Sequence, residues 1–398
     1  MRITVRALSN LIASFIKEML IGLDGMPLLG EKTGVWHYTF ELARHLALEA
    51  KSDQFELISH LPWTTGTGAQ INGFPPNLKY SHIEVNRLSH RWFLIGLPSH
   101  IRRHRISLFH GTNFEIPLWS TCPLILTIHD LSVLLYPETH LTAHVRRMRR
   151  RLPIMARRAD MIIAPTKSVG EEISRHLKIS LDKIAVVPHA PRSCFYPVAE
   201  SESVAAKKLY GVEDEFILYV GTIEPRKNLI SVVKALEKIA RETSYSPQMV
   251  FAGPRGWLYD EFFAYVENSR IRDRLCFTGH VSDESLRALY SSCRFLIYPS
   301  FYEGFGLPPL EAMACGVPVI ASRIPALIET TRGAARLCAP TDIDELAHCM
   351  TELLSNKPLR TELSQAGIKR AAELSWSKTA VATYEVYRHA LRKQPAVS

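Results

Sequence analysis

The sequence predicts an α/β protein made of two doubly wound, Rossmann-like domains. Three observations carry that prediction. Short, near-continuously apolar runs alternate with helical patterns along all 398 residues, as parallel strands covered on both faces require. Eleven such runs exceed one comfortable sheet. A stretch with three prolines, 188–197 (PHAPRSCFYP), divides them into two sets.

In chain order, strands are expected at Leu20–Leu23, Phe55–Ser59, Ser107–His110, Leu124–Ile128 and Met161–Ala164. After the proline-rich stretch they are expected at Phe216–Val220, Met249–Ala252, Leu275–Thr278, Phe295–Tyr298, Val319–Ala321 and Arg336–Cys338. Helical periodicity fills the gaps at Gly34–Glu49, Leu229–Glu242, Glu284–Cys293 and Ile343–Leu354. The organisation follows: an extension at 1–18, a first domain at 19–195, a second at 196–376, and a closing segment at 377–398. The helix Ser377–Leu391 comes after the second sheet is complete, so it is expected to pack back on the first domain, with a frayed tail beyond it. In open parallel sheets ligands bind beyond the carboxyl ends of the strands, so two such sheets would face an interdomain cleft.

Composition excludes several classes. With 46% hydrophobic and 22% charged residues the chain is neither disordered nor collagenous. Seven scattered cysteines without a C-x-x-C pair read as reduced thiols of a cytoplasmic protein. No apolar stretch reaches the ~20 residues of a membrane span. The first eighteen residues lack the apolar core of a secretory signal and read as a short interfacial helix or an inert extension. Residues 1–195 hold 24 Lys/Arg against 15 Asp/Glu, so the net charge of +9 lies in the first half. A basic half suits nucleic acid, an anionic bilayer or a phosphorylated ligand, and charge alone does not choose.

The chemistry is read from residues just after strands. In Tyr298–Glu329 a loop carries Glu303, Gly304, Phe305 and Gly306 before a proline-started helix with Glu311 near its first turn. Free N–H groups there suit oxygens and phosphates. Two glutamates eight apart can accept hydrogen bonds from different hydroxyls of one extended ligand. In Leu218–Leu229 (LYVGTIEPRKNL) Arg226 and Lys227 open a helix, where cations oppose the helix dipole and a bound diphosphate would resolve the conflict. Gly30–Gly34 (GEKTG) is a weaker phosphate-turn candidate. His129 and His110 stand at adjacent strand ends, each open to a hydroxyl-binding or a structural role.

These segments resemble retaining glycosyltransferases of family 4, which have the GT-B fold. The likeness rests on Val220-Gly221, Glu224-Pro225-Arg226-Lys227-Asn228, Phe251-Ala252-Gly253, Phe277-Thr278-Gly279-His280-Val281 and Glu303-Gly304-Phe305-Gly306-Leu307 through Glu311. His110-Gly111-Thr112-Asn113-Phe114 and Thr127-Ile128-His129-Asp130-Leu131 are similar to bacterial mannosyltransferases of polysaccharide and O-antigen assembly. The resemblance implies a hexose, best taken as mannose from GDP-mannose, moved to a glycan or polyprenyl-pyrophosphate-linked acceptor. Arg226, Lys227, Glu303 and His129 would be catalytic. Gly34, Gly221, Gly253, Gly279, His280, Val281, Gly304, Phe305, Gly306, Leu307 and Glu311 would bind the donor. Glu303 would take sugar hydroxyls and Glu311 the ribose. Pro188-His189-Ala190 departs from the Pro-Asn-Gly or Pro-Leu-Gly common in relatives and puts that turn's geometry in doubt.

The resemblance also implies front-face substitution, in which the leaving phosphate takes the acceptor's proton. No Asp-x-Asp-like pair stands at a strand end to hold Mg²⁺, so no metal or other cofactor is expected. The basic run His144–Arg158, with Arg146, Arg147, Arg149, Arg150 and Arg151, reads as a solvated helix face or, with His110, as an acceptor and anionic membrane surface. Nucleic acid is disfavoured because no aromatic platform interleaves the arginines. Localisation is therefore expected in the cytoplasm, peripheral to the inner face of the membrane. An epimerase on the same fold would consume donor without acceptor, and a non-catalytic scaffold would not need Arg226, Lys227, Glu303 and Glu311 together.

Overall fold

A computed structural model describes residues 18–62, 74–243 and 245–393. The expected extension, Glu18 apart, and the last five residues lie outside them. The chain forms two sheets with helices around them. The first holds β1 (Leu20–Asp24), β2 (Gln54–Ser59), β3 (Leu78–His82), β4 (Leu108–Gly111), β5 (Leu124–Thr127), β6 (Met161–Ala164) and β7 (Ile184–Val186), in the order β3-β2-β1-β4-β5-β6-β7. The second holds β8 (Phe216–Val220), β9 (Gln248–Ala252), β10 (Leu275–Gly279), β11 (Leu296–Tyr298), β12 (Val319–Ser322) and β13 (Arg336–Cys338), in the order β10-β9-β8-β11-β12-β13. Neighbouring strands run parallel. In both sheets the order turns back at the first strand, next to the fourth, which is the doubly wound topology.

The eleven expected strands all form. The sequence pattern misses β3 and β7, which are the two edges of the first sheet. Edge strands are only half covered, and both show mixed burial along their length. They therefore lack the continuous apolar run that marks a central strand. In the second sheet β8 is buried throughout, with Phe216, Ile217, Leu218 and Tyr219 fully so. Each such side chain contributes about 1.5–3 kcal/mol of hydrophobic stabilisation. The helix Leu229–Thr243 covers the sheet with Leu229, Val232, Val233, Leu236 and Ile239, the spacing of one helical face.

The two compact units do not follow the 195/196 boundary. One contains the chain up to Thr127, Met155–Ile163 and the segment from Ala380. The other contains Ile128–Ile154 and Ala164–Thr379. In the first unit the C-terminal helix meets the sheet through side chains: the Tyr384 hydroxyl donates to Asp53, and the Tyr387 hydroxyl bonds His110 at 2.6 Å. In the second unit the segment after β5 packs on the loop after β11. A Cβ on Gly304 would stand 1.9 Å from the His129 carbonyl oxygen, so only glycine permits this approach.

Candidate active site

In the second unit β8 and β11 are neighbours at the point where strand order reverses. The loops beyond their carboxyl ends therefore emerge side by side. After β8 a single tight turn, Pro225–Lys227, presents two cations in succession. Asn228 ends it in the left-handed conformation and donates its side-chain amide to the Pro299 and Pro340 carbonyls at 3.1 and 2.6 Å. The Phe301 amide donates to the Arg226 carbonyl at 2.9 Å, so the two loops are joined through backbone as well.

That geometry gathers four charged side chains. The Lys227 ammonium donates to Glu303 Oε1 at 2.5 Å and to the Tyr298 hydroxyl at 3.1 Å. Arg226 Nη1 lies 3.3 Å from Glu303 Oε2 and donates to the Tyr302 carbonyl at 2.8 Å, while Nη2 donates to Glu224 Oε1 at 2.6 Å. Lys227 and Glu303 are 7% and 8% exposed. Burial by itself would raise the Glu303 carboxyl, but Lys227 and Arg226 outweigh it and hold the group down at about 2. Burial dominates at Glu224 and raises it. Arg226 is raised: burial opposes its charge, and Glu303 and Glu224 more than compensate. Asp130, beyond β5, adds to the negative field on Arg226.

Of Glu303 and Glu311, it is Glu303 that meets both cations. Glu311 stands on the helix Leu307–Ala314, 4% exposed, and belongs to a second cluster. Arg192 Nε donates to Glu311 Oε1 at 2.7 Å and Arg192 Nη1 to Asp283 Oδ1 at 2.7 Å. Gly306, with φ of +94°, turns the chain into that helix, and the prolines of its first turn forgo amide donors that would be unpaired there.

The remaining candidates fall as follows. Gly221, Gly253 and Gly279 lie abreast: the Gly221 amide donates to Ala252 at 3.0 Å and the Gly253 amide to Gly279 at 2.9 Å. His280 is exposed and Val281 is buried beside it. Phe305 is buried and Leu307 half-buried. His129 Nδ1 lies 3.4 Å from His189 Nε2, and the His189 ring packs at 5.0 Å on Phe305. Burial, with His129 beside it, pushes His189 well below the usual histidine range, so its ring is neutral. Gly34 opens the helix Gly34–Glu49 in the first unit and is exposed there. Arg146, Arg147, Arg149 and Arg150 are exposed on the helix Thr142–Arg158, and Arg151 is half-buried.

His110 corrects the sequence reading. Placed there on the acceptor surface, it has 0% exposure, with Nδ1 on the Tyr387 hydroxyl and Nε2 on the Thr127 hydroxyl at 2.8 Å. It is a core histidine whose polar atoms are satisfied by two side chains. Three functional candidates escaped the sequence. Glu224 sits inside the Glu-Pro-Arg-Lys motif and its adjacency to the cations was a usable signal. His189 appeared only as a departure from a common turn. Arg192 gave no signal, because its partner Glu311 is 119 residues away.

The arrangement offers buried cations to phosphate oxygens and the ionised Glu303 carboxylate to hydroxyls. A recess of about 750 Å³ adjoins it, bordered by Tyr136, Glu138, Thr139, Pro225, Leu258 and Phe301. Among the described residues no group of three or more His, Cys, Asp or Glu is gathered as a metal site.

Residues 201–370 match the glycosyl transferases group 1 family, and residues 32–190 match glycosyltransferase family 4. The O-antigen chain mannosyltransferase B of Escherichia coli is 29% identical over 373 residues, which is 89% of this chain and 96% of that protein. The serotype-specific mannosyltransferase WbdA of Escherichia coli is 31% identical over 69% of this chain, which spans 35% of WbdA. A sucrose-phosphate synthase from Thermosynechococcus elongatus shares the fold with a TM-score of 0.76 over 95% of this chain and 100% of that one, at 21% identity. Fold and family matches together define a glycosyltransferase of the GT-B fold. The chain is a glycosyltransferase with a family 4 domain and a group 1 domain.

Proposed function

We propose that this enzyme is a retaining mannosyltransferase that moves mannose from GDP-mannose to a hydroxyl of a growing, lipid-linked glycan. The observation that carries the reading is the buried Glu224–Arg226–Glu303–Lys227 cluster at the point of strand reversal. Arg226 and Lys227 grip the diphosphate and stabilise the charge that develops as it leaves, the task for which preorganised cations in a dry site are most effective. Glu303, ionised at neutral pH, accepts hydrogen bonds from sugar hydroxyls. Glu311 does the same for the ribose, and the amides of the Gly304–Leu307 segment add donors. His129, set by His189 and by the close approach of Gly304, faces the transferred sugar. The acceptor hydroxyl enters on the face the phosphate leaves, and that phosphate takes its proton. The names of the E. coli relatives support mannose and O-antigen assembly.

Two cations at the diphosphate supply the charge that a divalent ion would otherwise provide. Transfer is therefore expected to survive EDTA, and loss of activity restored by Mg²⁺ would reject that part. The lipid-linked acceptor is met at an anionic membrane surface on the cytoplasmic side. The helix Thr142–Arg158 buries Val145, Met148 and Leu152 and turns Arg146, Arg147, Arg149 and Arg150 outward, with Leu141 and Ile154 exposed on either side. Clustered basic residues are worth about 1 kcal/mol each near such a surface. No helix among the described residues is long and apolar enough to cross a membrane.

A screen of GDP- and UDP-sugars tests the donor, read by thermal shift and by NMR of the product's anomeric centre. GDP-mannose is expected to give the largest shift and an α-linked product. A shift confined to UDP-sugars would reject the base, and a β-linked product would reject retention.

A further inference from the structure

We propose that Arg192 is a positioning residue that sets the Glu311 carboxylate to receive the ribose hydroxyls of the donor nucleotide. The proposal rests on the reading of Glu311 as the ribose carboxylate, given above. Arg192 lies in the proline-rich stretch between the sheets and is 7% exposed. Its guanidinium carbon Cζ lies 4.4 Å from the centre of the Phe195 ring. That packing holds the fork in one orientation, with Nε on Glu311 and Nη1 on Asp283.

Both partners belong to elements that border the nucleoside in the proposed reading. Glu311 projects from the helix that follows the Gly304–Leu307 loop. Asp283 is the first residue of the helix Asp283–Ser292, which follows Gly279–Val281, the donor-binding segment that the family resemblance sets beside the base. A planar guanidinium with fixed donor directions therefore fixes the spacing of the ribose side and the base side. A lysine ammonium, as a point charge, cannot span both with the same geometry.

The same contact sets the chemistry of the carboxylate. An ionised carboxylate offers about four lone-pair sites, and the Nε contact engages Oε1 alone. The remaining capacity suits the paired hydroxyls of a ribose. Tyr290, Cys194 and Cys315 also face Glu311, and burial raises all three so that they stay neutral. Without Arg192 the buried Glu311 would face these neutral groups without its paired cation and without the contact that fixes Oε1. A purely structural ion pair is the alternative. Removing one partner of such a pair costs stability whether or not the pair serves a ligand, so the two roles separate in a binding experiment and not in an unfolding one.

The test is calorimetric titration of the full chain with GDP and with 2′,3′-dideoxy-GDP, or the uridine pair if the donor screen selects it. Steady-state donor kinetics run alongside. The wild-type chain is expected to bind the dideoxy nucleotide on the order of 10- to 100-fold more weakly, as lost hydrogen bonds to a charged group imply. In Arg192→Met that ratio is expected to fall below about 3, with KM for donor raised about 10-fold and kcat nearly unchanged. Arg192→Lys keeps the buried charge and is expected to lie between, restoring part of the discrimination. A wild-type ratio in folded Arg192→Met overturns the proposal. Should that variant fail to fold, a wild-type ratio in Arg192→Lys does so. Glu311→Gln separates the two readings. If it abolishes discrimination while the Arg192 variants keep it, Glu311 binds ribose and Arg192 does not position it. If it too keeps discrimination, the ribose assignment fails and this inference falls with it.

Discussion

Replacing Glu303 by glutamine should do four things at once, and their signs differ. The carboxyl stands at about 2 against an ordinary value of 4.5 because Lys227 and Arg226 outweigh its burial. At about 1.4 kcal/mol per pH unit, that gap corresponds to about 3 kcal/mol favouring the ionised, folded state. A depressed carboxyl contributes its stability above the unfolded pKa and loses it as pH falls through the folded one. The wild-type chain should therefore lose this increment between about pH 5 and pH 2, and Glu303→Gln should show no such loss. At neutral pH the variant keeps the side-chain shape but leaves two buried cations with less compensation. At roughly 2–4 °C per kcal/mol for a unit of this size, its melting temperature should drop by about 6–12 °C. GDP brings the missing negative charge and should raise the melting temperature of the variant by more than that of the wild type. Transfer should nonetheless fall by about 100-fold or more, since the sugar loses its ionised acceptor. Scanning fluorimetry with and without GDP, across pH, reads the first three effects, and initial transfer rates read the fourth. A variant that melts within about 2 °C of wild type, with an equal GDP increment, would show that Glu303 does not compensate the cations.

Three further substitutions probe the same layout. Lys227→Ala should lower turnover at least ~100-fold with the fold intact, the scale of one lost transition-state charge contact, so a wild-type kcat would remove Lys227 from the site. His110→Phe takes from Tyr387 and Thr127 a buried hydrogen-bond partner and should cost about 1–3 kcal/mol in urea unfolding, while KM and kcat of the folded protein stay unchanged. Gly304→Ala puts a methyl group against the His129 carbonyl and must push the two segments apart. It should reduce kcat by about 100-fold, the scale of a 1 Å misplacement, and an unaltered rate would show that this contact does not set the chemistry.

The sequence by itself determined the doubly wound class, eleven strands, nine of them central and two the edges of the second sheet, and the Arg226–Lys227–Glu303 grouping. Central strands of parallel sheets bury both faces, so their composition reports their position. The cation turn and the glutamate loop follow strands by a few residues, so strand order alone brings them together. Only the tertiary structure could decide what lies at the edges of the first sheet and across long separations. Strands β3 and β7 carry mixed burial and no continuous apolar signature. His110 and His129 look alike as strand-end histidines, yet one is enclosed by Tyr387, 277 residues away, and the other meets His189 and Gly304. Arg192 reads as one more basic residue until the fold sets it between Glu311 and Asp283. Local pattern encodes how a segment meets water, whereas the pairing of one buried charge with another is fixed only when distant segments are packed together.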